Sequence, residues 1–433
     1  MNCPYAERTC IADLAPAAER CPACKRFSKR CPQCHLRSRA FANFCRGCGA
    51  ALPVRQGNWL GFKGGARRAG VNSRAEGPRR QSVDIVSAGL KLRLGGVCRS
   101  LLGYDGQLIA VARDGTIEIG DPARPAGATR LQARGPVSCE PCIERGLLFL
   151  GAPNQLSAYS LGAITLPVPR LRPLWQIALD GTPIQALTAV GNRLYAAVAS
   201  DVGRSLQVIE NVVETPPSAP RTLYATRGAA SRLSWLAADD VRAVFLTEEE
   251  GSVELHSVTH ARLELSSRTV MVPAFAEHPI SLLGEHLFGV FGNGQQLYRI
   301  NVRAGSVDEQ LDDDTQLFSL THDGDHEWDR DGVRIDSSGV AFMRAAGRDT
   351  FNDLDRAVKG SPVIVEGRVA AIGMQDGRVL IYDLQHPPKH EKWRLGGNGA
   401  AITALASFGH YVAAGDADGI VEVVELRERA GTP

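Results

Sequence analysis

The chain has 433 residues, of which 44% are hydrophobic and 22% charged, so it holds enough apolar side chains for a sizeable globular core. Its apolar runs fall far short of the roughly 20 residues that a membrane-spanning helix needs. Its polar, cysteine-rich beginning does not resemble a secretory signal. We therefore expect a cytoplasmic protein without a membrane span.

The net charge of +2 conceals a strong asymmetry along the chain. Residues 1–82 contain 16 lysine and arginine residues but only 4 acidic ones, whereas the remaining chain contains 33 basic and 43 acidic residues. Eight of the eleven cysteines also lie within the first 48 residues. The sequence therefore predicts a small, basic, cysteine-rich head on a large, mildly acidic body.

The cysteines of the head have the spacing of metal ligands. Three C-x-x-C pairs each allow two thiolates to face one ion, and Zn²⁺ prefers four such ligands in a tetrahedron. One closed site is predicted at Cys31, Cys34, Cys45 and Cys48. A second, less regular site is predicted at Cys3, Cys10, Cys21 and Cys24. Spacing alone leaves crossed pairing among the eight ligands open, and disulfides are the alternative that a reducing cytosol disfavours.

Both predicted metal ions are structural. Catalytic zinc keeps one coordination position open, whereas four cysteines close the site. The ions would replace the core that a domain of about 50 residues cannot build alone. We expect Gly47 and Gly49 to supply positive-φ turns next to the ligands, and His35 is an alternative ligand.

The phrases Cys31-Pro-Gln-Cys34 and Phe44-Cys45-Arg-Gly-Cys48-Gly-Ala-Ala-Leu52 resemble the double zinc ribbon family. The resemblance covers residues 1–52 and implies two structural Zn²⁺ ions. The chain departs from the family pattern in the wide Cys3–Cys10 spacing and in His35, which stands where the family usually has glycine.

Residues 53–82 combine glycine, proline and seven basic residues without a hydrophobic period. This composition predicts a basic flexible linker.

The body, residues 83–428, alternates short β-type runs with glycine turns. Asp-Gly turns join two such runs at 108–119 and again at 369–382, which is a strong signal of a hairpin. Aligning Trp175 with Trp393 makes six further residues identical over the next 21 positions. Inner strands are predicted to begin near residues 97, 137, 183, 231, 279, 317, 361 and 401.

Intervals of roughly 40 to 50 residues match a four-stranded propeller blade. The fold class is therefore mostly β, a β-propeller of seven or eight blades with a small zinc-ribbon domain. Eight is favoured, because even spacing makes the degenerate unit at 315–358 a blade rather than an insertion. The last unit has room for three strands, so we expect Val83–Leu94 to add the fourth and close the ring. Residues 429–433 form a tail.

The body repeats resemble those of pyrroloquinoline-quinone-type and WD40-type propellers. Leu174-Trp175 followed by Gly181 and Ile184 is similar to the first type, and Asp376-Gly-Arg-Val-Leu-Ile-Tyr-Asp383 to the second. The first resemblance implies a quinone-dependent dehydrogenase-like enzyme as a minor alternative. No phosphate-binding loop, zinc-protease helix motif or nucleophile elbow is present to suggest other catalysis.

Two further clusters of the sequence are candidate sites. Cys139-Glu-Pro-Cys142, with Cys98, is a third metal or redox site or, more simply, a set of buried small apolar residues. The acidic stretch Asp308–Asp331 is a solvated loop, a cation site, or a contact for a partner or for the basic head.

The sequence favours a non-enzymatic scaffold that binds protein partners of unknown identity within a multiprotein assembly. The alternative is nucleic-acid binding through the basic residues between 20 and 80, whose phosphate contacts would weaken steeply with salt. No catalytic residue and no cofactor other than zinc is predicted.

Overall fold

The computed structural model of the chain describes residues 28–39, 45, 47–48, 50, 71–72, 83–161, 172–214, 216–226, 228, 230–273, 275–276, 279–291, 296–313, 315–320, 332–336, 340–345, 348–353, 363–365, 369–383, 390–395 and 399–428. These residues form 36 strands in nine sheets, one in the head and eight in the body. The head hairpin pairs β1 (Ser28–Arg30) with β2 (Arg37–Arg39). Two strands precede the first complete body sheet, β3 (Val71–Asn72) and β4 (Val83–Arg93).

The body sheets are the blades of a propeller, numbered in chain order. Blade 1 contains β5 (Cys98–Tyr104), β6 (Gln107–Ala112), β7 (Thr116–Asp121) and β8 (Arg124–Gln132). Blade 2 contains β9 (Cys142–Glu144), β10 (Leu147–Ala152), β11 (Gln155–Ser160) and β12 (Trp175–Ala178). Blade 3 contains β13 (Thr182–Val190), β14 (Arg193–Ser200), β15 (Gly203–Glu210) and β16 (Arg221–Ala225). Blade 4 contains β17 (Arg232–Leu233), β18 (Ala237–Ala238), β19 (Arg242–Glu249), β20 (Ser252–Thr259) and β21 (Leu265–Thr269).

The second half of the ring continues in the same way. Blade 5 contains β22 (Ser281–Leu283), β23 (His286–Phe291), β24 (Gln296–Asn301) and β25 (Val307–Asp313). Blade 6 contains β26 (Thr315–Leu320), β27 (Gly332–Asp336), β28 (Val340–Ala345) and β29 (Arg348–Asp353). Blade 7 contains β30 (Val363–Val365), β31 (Val369–Gly373), β32 (Arg378–Asp383) and β33 (His390–Arg394). Blade 8 contains β34 (Ile402–Phe408), β35 (Tyr411–Asp416) and β36 (Ile420–Glu428).

The prediction of a mostly β propeller is confirmed, and the described residues contain eight blades. The degenerate unit forms the four-stranded blade 6, with the strand order β26-β27-β28-β29. Seven of the inner strands begin within two residues of their predicted positions. In blade 2, β9 begins at Cys142 rather than near 137, because the preceding residues bridge to blade 3: the Glu140 amide donates to the Gln185 carbonyl.

The burial of each strand explains its hydrophobic pattern in the sequence. Second and third strands such as β6 and β7 are buried along almost their whole length, because neighbouring blades cover both faces, so they are continuous apolar runs. Outer strands such as β21 are exposed throughout and polar. The core accordingly lies between adjacent blades, as in the cluster of Cys139, Phe149 and Leu194 between blades 2 and 3.

The Asp-Gly turns are closed by the aspartate itself. In blade 1, Asp114 Oδ1 accepts the Thr116 amide at 2.9 Å, and in blade 7, Asp376 Oδ1 accepts the Arg378 amide at 3.3 Å. In blade 8 the turn is Asp418-Gly419, and Asp416, two residues earlier, accepts the Ile420 amide at 2.8 Å. Gly419 has a φ of +77°, and a Cβ there would clash with the Gly96 carbonyl oxygen. These aspartate carboxylates therefore stabilise the turns in which they lie.

An inner belt of polar residues joins five consecutive blades, through side chains and, from Glu140, through the backbone. It consists of Thr403, Arg99, Glu140 and Gln185, each on the inner segment of its blade. Thr403 Oγ1 donates to the Cys98 carbonyl at 2.7 Å and ties blade 8 to blade 1, while Arg99 donates to the Ser138 carbonyl at 3.2 Å.

The belt continues around the channel in the same direction. The Glu140 amide donates to the Gln185 carbonyl at 2.7 Å, and Gln185 Nε2 donates to the Leu233 carbonyl at 2.6 Å. Beside three of these residues the inner strand shifts register against its neighbour, in β5, β13 and β34. Such a bulge turns a side chain away from its own sheet, and here that side chain reaches the next blade.

Two tryptophans on the outer strands of blades 2 and 7 form hydrogen bonds to the next blade. Trp175 in β12 donates from its indole to the Val212 carbonyl of blade 3 at 2.9 Å. Trp393 in β33 donates to Glu422 of blade 8 at 3.4 Å. The two residues that anchor the internal repeat of the sequence therefore make equivalent contacts in blades 2 and 7.

The ring closes through a strand from before the first blade. β4 pairs antiparallel with β36 from Val83 opposite Glu428 to Arg93 opposite Ile420, in the position in which the sequence analysis placed 83–94. Leu90 and Leu92 of β4 are buried in the same apolar cluster as Phe408 and Val423 of blade 8.

The direction of the strands defines two rims of the disc. The upper rim is where inner strands begin, and it includes the turns between second and third strands, such as 113–115. The lower rim is where inner strands end, and it includes the turns at 105–106 and 409–410. Among the residues that the structure describes, no helix is long and apolar enough to span a bilayer.

Ring closure by β4 predicts a position-specific loss of stability. Leu90→Ala should lower the free energy of unfolding by about 3 kcal/mol, because Leu90 is 1% exposed and its removal leaves a cavity. Urea unfolding of the full chain measures this loss. Lys91→Ala is the control, because its ion pair with Glu422 is exposed on the lysine side and is worth under about 1 kcal/mol. Equal losses in both variants would contradict the closure.

A buried histidine in blade 4 predicts that the stability of the protein depends on pH. His256 is fully buried, and burial lowers its pKa to about 4, opposed by the charge of Glu249. The unfolded chain therefore binds the proton first, and stability falls by up to about 3 kcal/mol as the pH drops from 6.5 to 4. Urea unfolding across this range should show a shallower slope in His256→Gln. Burial also lowers the pKa of His260, which leaves a residual slope; identical slopes in both proteins would refute the assignment.

Candidate metal centre

The β1–β2 hairpin positions the first pair of cysteines. Cys31 follows β1 directly, its amide donates to the Leu36 carbonyl at 2.9 Å, and the His35 amide donates to the Cys31 carbonyl at 3.0 Å. The Cys34 amide in turn approaches the Cys31 sulfur at 3.5 Å. This tight turn aims both sulfurs to one side, as the C-x-x-C spacing predicts.

His35 occupies the left-handed region of backbone conformation, with a φ of +59°. The turn needs this conformation after its second cysteine, which explains why glycine is usual at the position in zinc ribbons. Among the described residues, the group that can hold an ion consists of four cysteines and does not include His35. The alternative of His35 as a ligand therefore has no support in the structure.

The second pair of cysteines is held by a similar turn. The Cys45 amide donates to the Ala50 carbonyl at 2.8 Å, and the Gly47 amide approaches the Cys45 sulfur at 3.4 Å. Gly47 packs closely against the turn of the first pair, since a Cβ there would lie 2.9 Å from the Leu36 side chain. Gly49 lies outside the described residues.

The four sulfurs meet at the distances that a tetrahedral ion needs. Cys31 and Cys48 are 3.5 Å apart at sulfur, Cys34 and Cys45 are 3.4 Å apart, and all four sulfurs lie within 4.8 Å of one another. Tetrahedral zinc with Zn–S bonds of about 2.3 Å places its sulfurs about 3.8 Å apart. The cysteines are free thiols, so the disulfide alternative fails for them. One metal ion fits this tetrad.

The backbone prepares two of the thiols for metal binding. Amide hydrogen bonds from Cys48 and Gly47 lower the pKa of Cys45 to about 6, and the Cys34 amide lowers the pKa of Cys31. The pKa of Cys34 is raised to about 12, because its neighbours Cys45 and Cys48 outweigh the Leu36 amide. A divalent cation would stabilise all four thiolates together, including that of Cys34, whose pKa is raised in the absence of an ion.

The other predicted ligands, Cys3, Cys10, Cys21 and Cys24, lie outside the described residues. The second ion therefore stays a prediction.

The body cysteines do not gather into a site. Cys98 is buried in the cluster around blades 8 and 1, whereas Cys139 and Cys142 share the cluster between blades 2 and 3. Burial raises the pKa of Cys98 and raises the pKa of Cys139 to about 12. These are the properties of small apolar core residues.

The acidic stretch is not a single loop. Its first part is the outer strand β25, in which Asp308 lies 3.2 Å from His286 and Glu309 lies 3.4 Å from Arg299. The next part is the inner strand β26. Cross-strand pairing with basic neighbours explains the acidic residues of β25, and residues 321–331 lie outside the described residues.

Sequence reasoning missed a hydrogen-bonded trio in blade 4. His256 lies between Thr247 and Ser267, with its ring nitrogens 2.7 Å from the two hydroxyl oxygens. It stacks on Phe245 with ring centroids 4.7 Å apart. A histidine with a pKa of about 4 is a weak base at neutral pH, so the trio fits a buried structural network. Only strand register brings the three residues together.

Comparison with known proteins shows the fold and no more. No family model matches the chain, and no curated protein matches it. The solved structure of BamB from Moraxella catarrhalis is similar with a TM-score of 0.58 at 16% identity, covering 81% of this chain and 100% of that one.

Two other solved propellers are similarly related. A europium-containing methanol dehydrogenase has a TM-score of 0.58 at 10% identity, with 86% of this chain and 98% of that one covered. The computationally designed Ika8 protein has a TM-score of 0.55 at 14% identity, with 77% and 98% covered. At such identities the likeness establishes the propeller and leaves the activity open.

The tetrad predicts a specific loss of metal. Cys45→Ser in the full-length protein should remove one equivalent of zinc per chain, because three thiolates hold the ion much more weakly than four. Elemental analysis of protein purified without chelator measures this loss. His35→Ala should keep the full metal content, since His35 does not join the tetrad. Retention of metal in Cys45→Ser, or equal loss in His35→Ala, would refute the assignment.

Proposed function

We propose that this protein is a non-enzymatic scaffold that binds protein partners in a multiprotein assembly, with a zinc-stabilised head as a second binding module. The proposal rests on the polar residues of the inner belt, which form contacts between blades. Arg99, Glu140, Gln185 and Thr403 are engaged in bonds between blades. The body cysteines Cys98, Cys139 and Cys142 and the histidine His256 are buried. Recognition is thereby left to the rims.

The upper rim offers apolar anchors. Val202 is 81% exposed in the turn between β14 and β15, and Met271 is 87% exposed just after β21 of the neighbouring blade. Val97, before β5, is also exposed on this rim. Exposed apolar side chains on a rigid disc are suited to protein contacts, which supports the scaffold proposal.

The scaffold proposal predicts a partner that depends on one rim. Tagged full-length protein, purified natively from its own cells, should retain a partner in stoichiometric amount. Val202→Asp with Met271→Glu should reduce the retained partner at least tenfold, whereas Val241→Asp on the lower rim, 62% exposed, should not. Mass spectrometry of the eluates measures both. A protein that elutes alone, or equal loss in both variants, would count against the scaffold.

A second candidate function is nucleic-acid binding by the head. The β1–β2 register places Arg30 directly opposite Arg37, and Lys29 and Arg39 extend the same hairpin. Like charges opposite each other destabilise a hairpin, so a bound phosphate would relieve them. Binding of a single-stranded 20-mer should weaken steeply between 50 and 200 mM salt. Arg30→Glu with Arg37→Glu should abolish it, and salt-independent binding would dismiss this candidate.

A further inference from the structure

The upper rim around blade 1 carries a cluster of basic side chains, all of them exposed. Arg113 lies in the turn between β6 and β7, Arg130 lies two residues before the end of β8, and Arg134 follows that strand. Lys91 and Arg93 come from β4, which ends at the same rim. We call Lys91, Arg93, Arg113, Arg130 and Arg134 the basic rim. The chain after residue 82 is otherwise acidic, with 33 basic and 43 acidic residues.

The elements that carry the basic rim meet beside Val97. The Arg113 amide donates to the Val97 carbonyl at 3.1 Å, and the Val137 amide donates to the Arg113 carbonyl at 2.9 Å. β4 leads into Val97 through three residues, of which Gly95 is the second. Arg130 reaches the same place, because a Cβ at Gly95 would lie 3.1 Å from its Nη2. The basic residues therefore form one surface, although they come from different strands.

Two buried carboxylates hold part of the basic rim in place. Glu118 lies 3.8 Å from Arg130 and accepts the Arg93 amide at 3.1 Å. Glu422 lies 2.6 Å from Lys91. The two carboxylate side chains are 10% and 11% exposed, whereas those of Arg130 and Lys91 are 58% and 70% exposed. The negative charges are therefore buried beneath positive charges that face solvent.

The remaining arginines of the basic rim are not neutralised in this way. In the part of the chain that the structure describes, neither Arg113 nor Arg134 forms an ion pair, and Arg134 donates to the neutral side chain of Gln176 at 3.4 Å. Val97 adds an apolar side chain, 40% exposed, next to Arg113. An anionic ligand with an apolar group would therefore gain both charge pairing and burial of Val97.

We propose that the basic rim and Val97 bind an acidic segment of a partner protein, rich in aspartate and glutamate and with at least one apolar side chain. This inference rests on the proposed scaffold function and names the chemistry of its partner. The site lies on the same rim as Val202 and Met271, so one partner can contact both places.

A protein segment suits this surface better than a nucleic acid does. Asp114 and Asp418 are exposed in the adjoining turns. They would repel a continuous phosphate backbone, whereas a protein segment can place a neutral or basic residue beside them. Single-stranded nucleic acids also stack their bases on exposed aromatic rings. Among the residues whose side-chain burial is described, no aromatic one is exposed.

Binding of a defined peptide to the full-length protein tests the chemistry of the site. The probe is a fluorescein-labelled peptide of seven glutamates and three leucines, and fluorescence anisotropy measures its affinity. Arg113→Glu with Arg134→Glu should weaken binding at least tenfold, because two unneutralised positive charges are reversed. Arg262→Glu with Arg303→Glu, in exposed turns of the lower rim, changes the net charge equally and should leave the affinity within twofold.

Two further controls separate a local effect from misfolding and from nonspecific attraction. Arg113→Gln with Arg134→Gln removes the two charges without reversing them and should weaken binding less than the glutamate pair does. A peptide with serine in place of glutamate should bind at least tenfold more weakly. Equal loss in the upper-rim and lower-rim variants, or no loss in either upper-rim variant, would overturn the proposal. Loss of affinity for a single-stranded 20-mer without loss for the peptide would contradict it as well.

Native purification of the tagged protein from its own cells separates this inference from the scaffold proposal. Arg113→Glu with Arg134→Glu should reduce the retained partner at least tenfold. A partner retained equally by this variant and by the wild type would refute the acidic segment and leave the scaffold intact. If the wild type elutes alone, the scaffold proposal fails, and the peptide titration still decides the chemistry of the basic rim.

Discussion

Five consecutive blades, from blade 8 through blade 1 to blade 4, depend on hydrogen bonds that link the inner segment of one blade to the next. In the part of the chain that the structure describes, neighbouring inner strands belong to different sheets. Their carbonyl groups still need partners, since an unsatisfied buried acceptor costs about 1–3 kcal/mol. Thr403 and Gln185 supply those partners from bulged positions, with donor–acceptor distances of 2.7 and 2.6 Å. The central polar groups are thus committed to holding the ring together.

Ring closure satisfies the backbone groups at the outer edge of blade 8. β36 would leave an open edge, and β4 covers it with antiparallel pairing that runs from Val83 to Arg93. β3 does the same for the inner edge of blade 7. The stretch before blade 1 therefore completes the disc at two places, and the linker and the propeller are structurally interdependent.

The structure shows the local partners of some acidic residues of the body. Part of the acidity of the body is local, because Asp114 and Asp416 accept amides of their own turns and Asp308 faces His286. These three carboxylates are engaged within the body. In the head, the hairpin register places Arg30 opposite Arg37, so positive charge is concentrated there.

The sequence by itself determined the propeller, the approximate start of every blade and the tetrad of Cys31, Cys34, Cys45 and Cys48, because these features are local and repeat at fixed spacing. Only the tertiary structure decided which residues cross from one blade to the next, since a bulge at Gln185 or a trio around His256 depends on strand register. It also paired β3 with the free edge of β30 in blade 7. Two residues carry no periodic signal, and their pairing is fixed by an edge formed almost 300 positions later in the chain.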